Sequence, residues 1–133
     1  MPHIVIEYSA NLADLIDVQE LVDVVHAAAL ADGLPPLDAL RTRAVERDHF
    51  RIADGSPDFA FVAVVARIGP GRPADDKLRF LQALIDAVED HLAPIADRRQ
   101  VALSTEIQEI DVEFRVNRNQ VRTALAERNR DGR

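Results

Sequence analysis

The sequence predicts an α+β fold: two β-α-β units forming one four-stranded mixed sheet, with two helices on one face. Three observations lead there. The order strand, helix, strand occurs twice, separated by the turn-rich run Ile52-Ala53-Asp54-Gly55-Ser56-Pro57-Asp58. Each helical segment carries an apolar stripe at helical spacing. A right-handed crossover within each unit makes a parallel strand pair and sends both helices to the same side. The 133 residues fit a single domain over 1–133, with halves at about 2–48 and 59–110 and a C-terminal tail over 111–133.

The first strand is His3 to Tyr8, in which period two sets Pro2, Ile4 and Ile6 on one face and His3, Val5 and Glu7 on the other. A helix follows over about 17–32, with Val18, Leu21, Val22, Val25, Ala28 and Ala29 as its stripe. Asp17 and Glu20 resemble a capping pair, Gly33 is a natural stop, and Pro35 and Pro36 forbid continuation. A second extended segment covers Leu40 to Glu46. In the second unit, Phe59 to Ile68 is a strand and Gly69-Pro70-Gly71-Arg72 a tight loop. Pro73 to about Leu92 is a helix, with Pro73 in its first turn and Asp75 and Asp76 at its positive end. Its expected buried stripe is Leu78, Leu81, Ile85, Val88 and Leu92. Gln100 to about Ile110 is the last strand, with Val101, Leu103, Thr105 and Ile107 on one face. The charged tail is expected to be disordered over 128–133.

Composition narrows the function classes. With no Cys there is neither a disulfide framework nor thiolate chemistry, and four scattered His suggest no metal site. A formal net charge of −7 argues against nucleic acid as a partner. No export leader or membrane-length apolar run is apparent, so a cytoplasmic location is expected. No phosphate-cradling Gly-rich fingerprint is present, and no cofactor is implied. The run Phe59-Ala60-Phe61-Val62-Ala63-Val64-Val65-Ala66 is apolar at every position, so both of its faces call for burial. Two helices cover only one face of such a sheet. Another copy of the chain is the simplest cover for the other, and a folded-back tail the alternative.

Three features carry chemistry. Removal of Met1 leaves Pro2 as the amino terminus, at the head of a buried strand. A secondary amine in an apolar site beside guanidinium groups is disfavoured as a cation, so it is suited to act as general base and then as general acid. The guanidinium candidates are Arg41, Arg43 and Arg72. Arg41 and Arg43 share a strand face, and Arg72 follows a glycine loop ahead of a helix start, where free N–H groups and a fixed cation suit a carboxylate.

Several segments together resemble the 5-carboxymethyl-2-hydroxymuconate delta-isomerase family of the tautomerase superfamily. They are Pro2-His3-Ile4-Val5-Ile6-Glu7-Tyr8-Ser9, Ile52-Ala53-Asp54-Gly55, Phe59-Ala60-Phe61-Val62, Ile68-Gly69-Pro70-Gly71-Arg72 and Ala102-Leu103-Ser104-Thr105-Glu106-Ile107, in order from Pro2 to about Asn119. The resemblance implies a tautomerase-like homotrimer without a cofactor. It also implies isomerisation of a 2-hydroxymuconate-type dienol acid, a small unsaturated di- or tricarboxylate, to its conjugated 2-oxo isomer during homoprotocatechuate breakdown. On that reading Pro2 is the general acid/base, Arg41 and Arg72 bind substrate, and Arg43 is structural or supporting. Pro35 and Thr105 depart from the family's pattern, where large apolar residues are expected. The rival readings are a hydratase or dehalogenase of a small unsaturated acid on the same scaffold, and an oligomeric binding protein without catalysis.

Overall fold

The computed structural model describes residues 2–132; Met1, whose removal the sequence reading requires, and Arg133 lie outside the described residues. The elements follow the order β1 (His3–Ser9), α1 (Val18–Asp32), β2 (Arg41–Arg47), β3 (Phe59–Ile68), α2 (Ala74–Leu92), β4 (Gln100–Glu109) and α3 (Gln120–Arg130). Short 3-10 turns occupy Ala10–Leu12, Ala93–Ile95 and Val112–Phe114.

The sheet order is β2-β1-β3-β4. β1 runs parallel to β2 and β3 parallel to β4, while the two units meet through an antiparallel β1–β3 pair. This is the predicted mixed sheet. Register fixes its two faces. Ile4, Ile6, Val62, Val64, Ala66 and Ile68 point to one side and are buried with Leu21, Val25 and Ala29 of α1 and Phe80, Leu84, Val88 and Leu92 of α2. His3, Val5 and Glu7 point to the other side, together with Phe61, Ala63, Val65 and Arg67 of β3. That side is only half-buried at Val5, Phe61, Ala63 and Val65.

Local chemistry explains the element ends. The Asp17 side chain accepts from Glu20 N at 3.0 Å and starts α1. Gly33 closes it at φ 86°, a left-handed conformation that favours glycine. Pro73 caps α2 in an extended conformation rather than entering its first turn. Two expectations need correction. The stripe of α2 runs along the i, i+4 row Phe80, Leu84, Val88 and Leu92. Leu81 and Ile85 flank it half-buried, and Leu78 is 65% exposed because it overhangs edge strand β4. The tail is helical over 128–130, where disorder was expected, since α3 continues to Arg130; Arg133 lies outside the described residues. Asn119 caps this helix, accepting from Val121 N (3.0 Å) and Arg122 N (3.2 Å), a signal as explicit as that of Asp17. No helix among the described residues is long and apolar enough to cross a membrane.

Candidate active site

The strand directions gather one end of the sheet around Pro2. β1 and β2 begin there, and β3 and β4 finish there. Pro2 is buried, and its carbonyl accepts from Arg41 N at 3.3 Å, extending the β1–β2 ladder by one bond. Leu40, Ile68 and Ile110 are buried at the same end, Ile110 N donating to Ile68 O at 2.7 Å. The amino-terminal segment thus enters the sheet among apolar side chains.

The charged groups at this end divide between the two faces. Arg41 stands beside His3 in the β1–β2 register, and Arg67 stands beside His3 in the β1–β3 register, so all three side chains leave by the face opposite the helices. Arg43 is on that face too, with its Nη1 3.2 Å from His3 Nδ1. Burial first, and then the nearby Arg43, Arg41 and Arg67 guanidinium groups, hold the His3 imidazole below its ordinary pKa. A neutral His3 leaves Nδ1 free to accept from Arg43. Arg43 is therefore engaged with His3. Arg67 belongs to the cationic cluster and neutral His3 lies among its guanidinium groups, although neither stands out in the sequence. Only the antiparallel register of β1 and β3, which no local pattern announces, brings Arg67 across from His3.

Arg72 approaches from the loop after β3. Gly71 takes φ 102°, and the Arg72 Nη1 donates to the carbonyl of Leu34, just past the end of α1. The guanidinium is thereby fixed at a helix C-terminus, where a cation is favoured. The first turn of α2 holds Asp75 and Asp76, so that helix start already carries negative charge. Pro35, one departure from the family pattern, is buried beside this anchor. Thr105, the other, donates its hydroxyl to Leu81 O at 3.2 Å and so meets its hydrogen-bonding need within the fold. Among the described residues no three His, Asp or Glu side chains are grouped as metal ligands.

Comparison with known proteins gives the family. The model of the 5-carboxymethyl-2-hydroxymuconate isomerase family matches residues 2–125. The chain belongs to this family. It is 31% identical over 121 residues to the 5-carboxymethyl-2-hydroxymuconate Delta-isomerase of Escherichia coli, covering 91% of this chain and 96% of that protein. A crystal structure of a 5-carboxymethyl-2-hydroxymuconate isomerase from Deinococcus radiodurans R1 superposes with a TM-score of 0.84 at 30% identity, over 93% of each chain. Another 5-carboxymethyl-2-hydroxymuconate delta-isomerase structure superposes at 0.86 with 26% identity, over 94% of this chain and 93% of that one. These relatives thus match this chain over nearly its full length, and the two solved structures share its fold.

Proposed function

We propose that this protein isomerises 5-carboxymethyl-2-hydroxymuconate, or a similar dienol acid, to its conjugated 2-oxo isomer, with Pro2 as the proton carrier. The observation that carries the proposal is the placement of Pro2. In a chain that matches the isomerase family from residue 2 onward, it is buried at the head of a central strand, bonded to Arg41 N and at the same sheet end as Arg72. The neutral nitrogen takes the proton of the substrate's 2-hydroxyl and returns a proton to carbon 5, so the double bonds shift with no change in oxidation level. Arg41 and Arg72 hold carboxylates or the charge that grows on the 2-oxygen. Membership of the isomerase family favours this reaction over hydration, dehalogenation or binding alone.

We also propose that the working form is a homotrimer and that a neighbouring copy completes each site. Two observations support this. The Arg41 side chain leaves by the face opposite the Pro2 ring. In addition, the clefts lined by Asn11 and Phe59, by Leu92 and Arg99, and by Leu37 and Arg122 include none of Pro2, Arg41 and Arg72. The half-buried apolar face through Val5, Ala63 and Val65 is the surface that a second copy would cover.

The test is an ultraviolet assay of dienol-to-ketone conversion, run beside a panel of halo-acids and unsaturated acids on protein whose intact mass is known. Conversion of the dienol well above the panel supports the proposal. Turnover of only a halo-acid or a hydration substrate refutes it.

A further inference from the structure

The C-terminal helix α3 has no buried residue. Its contribution to the core is therefore small, yet it is fastened at a defined place. Asn119 uses both ends of its amide: Oδ1 caps α3, while Nδ2 donates to Asp38 O at 2.7 Å. One turn on, Arg122 Nε donates to Asp38 Oδ2 at 2.9 Å. Both bonds converge on one residue of the segment 33–40 that joins α1 to β2.

That segment bears on every group assigned to the site. Leu34, near its start, supplies the carbonyl that fixes Arg72. Pro35 and Pro36 restrict its backbone, and Ala39 N closes a turn on Pro36 O at 3.2 Å. Its end is Leu40, after which Arg41 N bonds to Pro2 O. Asp38 lies between these two anchors. The Arg122–Asp38 pair is partly exposed, with Arg122 on the surface, so its worth to global stability is small. The consequence of the fastening is geometric.

We infer that Asn119 is a positioning residue for the site: its amide ties α3 to Asp38 and so holds the segment that sets Arg41 and Arg72. This rests on the proposed roles of those two arginines.

Asn119→Asp separates the two tasks of the amide in the full-length protein. Asp caps a helix as well as Asn does, but it has no N–H to give Asp38 O, and it sets a carboxylate against that carbonyl. Circular dichroism is expected to show α3 retained. Hydrogen exchange of the Arg41 amide should quicken about tenfold, as expected when a local segment opens more readily. KM for the dienol acid should rise about fivefold with kcat within about twofold, the mark of weakened binding common to ground and transition states. Asn119→Ala, which also removes the cap, should show the same exchange and KM changes with less helix. Wild-type exchange at Arg41 in Asn119→Asp would overturn the inference, whatever the helix content of either variant. The exchange readout needs no turnover: a wild-type protein that fails to isomerise the dienol counts against the proposed function and leaves this test decisive.

Discussion

Pro2 and His3 are adjacent in sequence, yet the strand sends their side chains to opposite faces and gives them different environments. Pro2 points among apolar residues at the sheet end. Replacing it with Ala leaves a primary amine in a slightly emptied site. We expect Pro2→Ala to fold with nearly unchanged melting temperature and to lose about 10²-fold in kcat, the lower range for a general acid–base group; steady-state kinetics beside thermal melts check this. His3 sits under three guanidinium groups, and its pKa lies below the ordinary 6.5. The folded protein therefore binds fewer protons at His3 than the unfolded chain does, and stability must fall as pH drops from about 6.5 toward the folded pKa. Well above 6.5 both states are neutral at His3 and this dependence vanishes. His3→Asn keeps an acceptor for Arg43 without a titrating group. Its melting temperature should lose the His3 part of the slope as pH falls through and below the ordinary value of 6.5, measured by calorimetry against wild type.

Among the elements, those with explicit start and stop chemistry were legible. Asp17, Gly33 and the Pro35-Pro36 pair bound α1 within a residue of expectation, and the run from Phe59 to Ile68 is β3 to the residue. The stripe of α2 was harder. Leu81 and Ile85 stand beside the apolar i, i+4 row Phe80, Leu84, Val88 and Leu92, and which of these side chains face the core depends on the sheet beneath the helix. α3 was missed because its apolar residues are few and scattered, although the Asn119 cap marked its start. The proposed site residues divide in the same way. Pro2, Arg41 and Arg72 lie next to strand or loop ends visible in the sequence. Arg67 requires the antiparallel register, which is settled by packing between distant segments. At this scale Asp17→Ala should cost about 1 kcal/mol through loss of the α1 cap, measured by urea denaturation. A loss near zero would mean that the Glu20 amide finds another acceptor.

For the whole molecule, the formal charge of −7 opposes an anionic substrate, yet Arg41, Arg43 and Arg67 crowd one end of one sheet face. Charges more than about 8–10 Å away are screened at physiological salt, so this local cluster governs what approaches it. The same face holds Val5, Ala63 and Val65, which a monomer leaves half-exposed. Val65 stands beside Glu106 in register. Val65→Glu would set two carboxylates together on the surface proposed to join copies, with little effect on the helix-side core. Sedimentation equilibrium should give three chain masses for wild type and one for Val65→Glu, with activity falling at least about tenfold if a neighbouring copy completes the site. A wild-type monomer with full activity would show that one chain suffices.

In the proposed mechanism the nitrogen of Pro2, freed by loss of Met1, moves the proton. The most direct measurement compares dienol turnover by two preparations of the same sequence, one with intact mass lacking Met1 and one retaining it. In the second the nitrogen is an amide, with no basic lone pair to offer. Conversion is expected from the first and, from the second, a rate lower by about 10²-fold or more. Equal turnover by both would contradict it.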